Sequence, residues 1–180
     1  MSEGRRARVG DRLSDPIELS NLQGDAVRIP AAGARLTHLQ LRRFAGCPIC
    51  NLHVRSVAAR VTELRAAGIH EVVVFHSERE TMLPFQGDLP FDVIADPTRA
   101  LYERFGVETS IRSVVDPRAW GGLVRGMLAS HPSGAMTGEG GHVGMPADIL
   151  FDAAGVVVAA KYGAHADDQW SVDELLALAT

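Results

Sequence analysis

The spacing of apolar residues changes at Gly46-Cys47-Pro48-Ile49-Cys50. Ahead of it, Leu36, Leu39, Leu41 and Phe44 mark a segment read as a core strand over 37–44. Behind it, Leu52, Val54, Val57, Ala58, Val61 and Leu64 recur at helical spacing, with Arg55, Arg60 and Arg65 on other faces. Gly68 is suited to the position just past the end of that helix. A strand that turns directly into an amphipathic helix commits the chain to packed layers, because the helix must bury its apolar stripe against a sheet.

The rest of the chain repeats the alternation. Residues 15–30 alternate weakly around Gln23-Gly24-Asp25 and read as a leading β-hairpin. Residues 71–75 form a short apolar strand. Ser77-Glu78-Arg79-Glu80 has the capping-box form, predicting a short helix that ends before Pro84. Residues 91–95 read as a further strand. Asp96-Pro97 supplies an N-cap and a first-turn proline for a helix running through Tyr102 and Phe105 to Gly106. Asp116-Pro117 repeats that signal before a helix over 119–129, and residues 133–144 read as a glycine-rich loop. Residues 147–152 and 156–162 then form an antiparallel hairpin about Ala153-Ala154-Gly155. Ser171-Val172-Asp173-Glu174 caps a terminal helix. This order predicts an α/β fold with a mixed sheet and helices on both faces.

With 180 residues the chain reads as a single domain, with 1–12 as a flexible tail and 109–144 as an insertion too long for a plain connection. That length buries about 70% of the unfolded surface without staples. Hydrophobic residues at 46% and charged residues at 22% exclude a disordered or coiled-coil chain. No apolar run reaches the roughly 18 residues a membrane span needs, so no membrane partner is expected. A net charge of −4 argues against a general nucleic-acid binder. Arg5-Arg6 lacks an apolar run behind it, so no secretory signal is read and a cytoplasmic location is expected.

The chain has only two cysteines, and both lie at the strand–helix junction. A helix N-terminus carries about half a positive charge and several unpaired N–H groups, which favour a thiolate over a thiol. One helical turn lets the second sulfur approach the first, and Pro48 stiffens that turn. The pair therefore reads as a redox-active dithiol. Two plainer alternatives are buried structural thiols and half of a zinc site. His53, His76, His142 and His165 are available to a metal, but none stands at zinc-finger spacing, and neither metal nor cofactor is expected. His53, His165, Asp167 and Asp168 read first as packing or loop residues, Asp148 as an inward carboxylate able to act on a sulfur, and Trp120 and Trp170 as packing residues.

Four pieces resemble a thioredoxin-fold protein of the peroxiredoxin-like branch, in the alkyl hydroperoxide reductase/thiol-specific antioxidant superfamily. They are the leading hairpin, the strand into Cys47-Pro48-Ile49-Cys50, residues 91–106, and residues 144–152 with the following turn. The resemblance implies a thioredoxin-like fold, a central mixed sheet with an N-terminal hairpin. It also implies that Met145-Pro146 faces the sulfurs, with a cis bond, and offers backbone groups to a disulfide partner. Pro48, Met145 and Pro146 are the implied substrate-binding residues. The threonine expected three positions before a peroxide-attacking cysteine is here Cys47 itself. Thioredoxin logic makes Cys47 the nucleophile, on the ground that the first cysteine is the more exposed, whereas peroxiredoxin logic makes it Cys50. An arginine beside the thiolate is also implied, with Arg42, Arg43, Arg112 and Arg118 as candidates.

The sequence thus points to a thiol–disulfide oxidoreductase or thiol-dependent peroxidase cycling Cys47 and Cys50 between dithiol and disulfide. Its partners are a peroxide or protein disulfide, an external thioredoxin- or glutaredoxin-like reductant, and a second copy in a homodimer. The rival is a non-catalytic thioredoxin-fold redox sensor or metal- or partner-binding protein.

Overall fold

A computed structural model describes residues 4–107 and 145–180. The helix start at Asp116-Pro117, the helix over 119–129, the loop over 133–144, the insertion over 109–144, and Arg112, Arg118, Trp120 and His142 lie outside the described residues. Among the described residues, strands β1 (Ile17–Ser20) and β2 (Ala26–Ile29) form the expected hairpin, a separate antiparallel pair with Ile17 opposite Ile29. β3 (Leu36–Leu41) leads to α1 (Pro48–Ala59) and α2 (Val61–Ala66). β4 (Ile69–Phe75), α3 (Arg79–Gln86), β5 (Asp92–Ala95) and α4 (Ala100–Arg104) follow. β6 (Ala147–Asp152), β7 (Val157–Tyr162) and α5 (Val172–Leu178) close the chain.

The main sheet has the order β5-β4-β3-β6-β7. β3, β4 and β5 run parallel, while β6 and β7 are antiparallel to their neighbours. The two-residue period of each strand sorts its side chains between two layers. Leu39, Leu41, Val72, Val74, Ile149 and Phe151 pack with α4 and the leading hairpin on one face. Val73, Phe75 and Val93 meet α1 and α3 on the other, and Leu36, Ile69 and Leu150 meet α5 and Trp170. No helix among the described residues is long and apolar enough to cross a membrane.

Several local expectations change. β3 stops at Leu41, so Arg42, Arg43 and Phe44 belong to the turn before the dithiol. The predicted single helix is two, broken at Arg60, whose backbone leaves helical geometry. Ser77 does not cap α3: its hydroxyl accepts the Ala45 N–H at 3.0 Å instead, and Pro84 lies inside the helix. Asp96 does receive N–H groups, from Ala100 and Leu101 at 3.1 and 2.8 Å, but the helix proper begins only after Arg99. The Ser171–Glu174 capping box forms as predicted. Residues 4–12, expected within a flexible tail, and Leu13 after them run beside β7: Gly10 N–H donates to Val157 O, Leu13 N–H to Gly155 O, and Ala7 N–H to the Tyr162 hydroxyl. The segment is held by these backbone hydrogen bonds to an edge strand and by Ala7 and Leu13, which are buried in the core.

Candidate active site

The site begins where β3 ends. Cys47 is the N-cap of α1, with extended backbone (φ −70°, ψ 115°), and Pro48 occupies the first helical position, where a missing N–H costs nothing. Cys47 N–H donates to Phe44 O at 3.1 Å, and Asn51 N–H donates to Cys47 O at 3.0 Å. These bonds close a tight turn and start the helix on the cysteine itself. Cys47 is 1% exposed and Cys50 is fully buried, so the greater exposure expected of the first cysteine is slight.

The two sulfurs differ in chemistry. The thiol of Cys47 is pulled down to about 7, first by a hydrogen bond from the Cys50 thiol and further by the Arg43 charge and the N–H groups of Cys50 and Ile49; burial opposes this. Arg43 Nη1 donates to Cys47 Sγ at 3.6 Å, so of the two candidate arginines among the described residues, Arg42 and Arg43, it is Arg43 that lies beside this sulfur. Burial pushes Cys50 well above the ordinary thiol range, and the neighbouring Cys47 adds to it. The pair thus couples a thiol biased toward ionisation to one held protonated.

Two amide side chains hold the turn. Asn51 Nδ2 donates to Ala45 O at 2.5 Å and to Cys47 O at 3.0 Å. Gln86 Nε2, from α3, donates to Ala45 O at 3.2 Å and to Asn51 Oδ1 at 3.0 Å. With Ser77 holding Ala45 N–H, both backbone groups of Ala45 are fixed. The sequence reading missed all three. Asn51 had a signal, a lone amide in an apolar first turn, but Gln86 and Ser77 reach the loop from distant segments.

Beneath α1 lies a polar layer inside the sheet. His38, Gln40, Glu71 and Asp148 share one face by strand parity and register. His38 Nδ1 bonds Glu71 Oε2 at 2.8 Å and its Nε2 bonds Asp148 Oδ1 at 3.1 Å. Arg42 Nη2 donates to Asp148 at 2.5 Å and to Gln40 Oε1 at 2.8 Å. Burial works against a charged His38, but Glu71 and Asp148 outweigh it and raise it to about 9. Burial likewise opposes an ionised Asp148, but Arg42 and His38 hold its carboxyl well below the usual range. Asp148 is inward, but its charge is committed to Arg42 and His38 rather than to a sulfur. His53 accepts from Arg42 Nη2 at 3.2 Å, and burial and Arg42 hold it neutral, down at about 3.

The remaining candidates separate cleanly. Pro146 precedes β6, with its carbonyl accepting Gly163 N–H at 2.9 Å. Leu41 pairs with Ala147, which puts Met145-Pro146 at the sheet end from which the Cys47 turn departs. The expected cis bond is not there: among the described residues only Ile29–Pro30 is cis, and Met145–Pro146 is an ordinary trans link into a strand. Asp168 pairs with Lys161 at 2.9 Å and accepts Ala164 N–H, and Asp167 N–H meets His165, so this run is loop chemistry. Trp170 packs 5.8 Å from the His38 ring. Among the described residues no three His, Cys, Asp or Glu side chains converge as a metal site.

Residues 56–165 match the family model described as AhpC/TSA antioxidant enzyme, a span of more than half the chain that starts within α1, beyond both cysteines. No curated protein matches the sequence significantly. Among solved structures, the fold is similar to that of peroxidoxin BcpB from Mycobacterium tuberculosis, 13% identical, with a TM-score of 0.68 over 97% of each chain. A peroxiredoxin-like protein from Aquifex aeolicus is 13% identical, with a TM-score of 0.67 over 99% of this chain and 90% of that one. A thiol peroxidase from Chromobacterium violaceum is 17% identical, with a TM-score of 0.59 over 98% of this chain and 88% of that one. At these identities the likeness is one of fold, the thioredoxin-like arrangement expected from the sequence.

Proposed function

The chain belongs to the AhpC/TSA antioxidant enzyme family, and from that premise we propose that it is a thiol-dependent peroxidase in which Cys47 attacks peroxide and Cys50 resolves the product. One thiolate sulfur attacks a peroxide oxygen, the O–O bond breaks, and a sulfenic acid forms. The second thiol condenses with it. In sum, two thiols and ROOH give one Cys47–Cys50 disulfide, ROH and water. The observation that carries the assignment is the asymmetry of the pair: Cys47 sits at the helix N-cap beside Arg43 with its thiol near 7, and Cys50 stays protonated behind it.

On this reading Pro48 sets the turn, and Met145 and Pro146 border the site and offer backbone groups to a disulfide partner. An external dithiol reductant of the thioredoxin or glutaredoxin type restores the enzyme, which suits a cytoplasmic setting where such thiols are kept reduced. A homodimer is not required for the cycle, since both sulfurs come from one chain. Steady-state peroxide consumption with a thiol reductant tests the reading. Turnover should be lost in both Cys47→Ser and Cys50→Ser; consumption of one equivalent followed by arrest, with reductant present, points instead to a redox sensor.

A further inference from the structure

The turn into α1 holds two adjacent buried arginines, and they are anchored differently. Arg42 Nη2 donates to the Asp148 carboxylate at 2.5 Å, so its charge is matched inside the sheet. Arg43 faces Cys47, with Nη1 3.6 Å from Sγ, and its Cζ lies over the Phe44 ring, 5.6 Å from the centroid. The difference matters for a sulfur that must ionise. A carboxylate fixes a guanidinium by neutralising it. The face of an aromatic ring attracts the cation through its quadrupole, consumes none of its N–H groups, and leaves the charge to act on a neighbour. The ring is itself held. Phe44 is buried, tilted against the His76 ring at 6.5 Å, and His76 meets Tyr102 edge-on at 5.6 Å. The Tyr102 hydroxyl donates to Arg42 O and Val74 O, at 2.5 and 2.9 Å. Tyr102 from α4, His76 just past β4 and Phe44 from the turn thus form one column of rings that ends on the Arg43 cation and, beyond it, Cys47 Sγ.

Resting on the reading of Cys47 as the peroxide-attacking thiolate, we propose that Phe44 is a positioning residue whose ring seats the Arg43 guanidinium against Cys47 Sγ. His76 and Tyr102 stand behind that ring and support it. Phe44 acts through Arg43: a cation held at the sulfur favours the thiolate over the thiol and enlarges the reactive population at neutral pH. Without the ring, the long Arg43 side chain regains rotamer freedom, and its charge spends less time beside the sulfur.

Thiolate absorbance titrations in a Cys50→Ser background, where Cys47 is the only thiol, test this through a double-mutant cycle. Phe44→Leu should move the Cys47 midpoint to higher pH, with a fall of roughly three- to tenfold in the thiolate population at neutral pH, the size of one buried cation–π contact. Arg43→Met raises the midpoint as well, and adding Phe44→Leu to it should raise it no further. A ring that serves packing alone would shift the midpoint equally with and without Arg43. An unmoved midpoint in Phe44→Leu, or the same shift in the Arg43→Met background, overturns the positioning role. Should Phe44→Leu not fold, trifluorophenylalanine at position 44 keeps the shape of the ring and weakens its quadrupole. The midpoint should then rise in the presence of Arg43 and stay put in Arg43→Met, and no rise in the presence of Arg43 overturns the role. A Cys47 whose titration follows this cycle but which hydrogen peroxide does not oxidise overturns the peroxidase reading and leaves the seating of Arg43 in place.

Discussion

Cys47 combines three sources of thiolate stabilisation on one buried sulfur: the Cys50 thiol, the Arg43 guanidinium and the first N–H groups of α1. With its thiol near 7, the rate of peroxide reduction should rise with pH and reach half its plateau near that value. Arg43→Met removes one of the three. The thiolate absorbance titration should then move to higher pH, and a tenfold fall in the neutral-pH thiolate population would correspond to about 1.4 kcal/mol of lost charge stabilisation. The polar layer below α1 is a second residue-scale matter. Asp148→Ala strands the buried Arg42 charge and should cost about 3–5 kcal/mol in urea unfolding, partly recovered when Arg42 is replaced by Met as well. His38 adds a pH dependence. Its folded value of about 9 exceeds the unfolded 6.5, so the folded state holds the extra proton between them. That stabilisation is complete below about 6.5 and is lost as pH rises toward 9. In a Cys47→Ser background, free of the opposing thiol titration, stability should fall across this window, and His38→Gln should flatten the slope.

At the scale of elements, α1 is tied to α3 by the Asn51–Gln86 clamp. Gln86→Leu strands the Asn51 carbonyl oxygen and should cost about 1–3 kcal/mol. It should also broaden the Cys47 titration by loosening the turn at Ala45. Gly68 marks a tight element junction: its φ is +77°, and an added Cβ would lie 2.9 Å from Arg35 Cβ. Gly68→Ala should therefore cost more than the roughly 1 kcal/mol of a positive-φ alanine alone. The elements legible in the sequence were those whose signals are local. The leading hairpin, β6, β7 and the capped α5 appear with nearly the expected bounds because alternation, turn glycines and capping residues act over a few positions. The dithiol was legible because its residues are contiguous. The break at Arg60 has no glycine or proline to announce it. Ser77 misled because its hydroxyl serves a backbone N–H from another segment. The clamp and the polar layer were hidden because they join strands and helices about 30 to 110 residues apart, although polar His38 and Gln40 within a core strand were a trace of the latter.

Across the whole molecule, the sheet carries chemistry at one end and closure along one edge. β3, at its centre, delivers the dithiol from its C-terminal end, and α1 seals the sulfurs against the apolar cluster of Phe44, Ile49, Val54 and Phe75. The far edge strand, β7, is covered by residues 4–13. Deleting residues 1–13 should expose that edge and lower the thermal midpoint or promote self-association, read by light scattering, while leaving the Cys47 titration in place. The central claim is that Cys47 attacks first and Cys50 completes the bond. One equivalent of hydrogen peroxide, added with a sulfenic-acid trap and followed by mass mapping of wild type, Cys47→Ser and Cys50→Ser, tests it directly. The account predicts a Cys47–Cys50 disulfide in wild type, a trapped adduct on Cys47 in Cys50→Ser, and no adduct in Cys47→Ser. An adduct on Cys50 in Cys47→Ser, with none on Cys47 in Cys50→Ser, would contradict it.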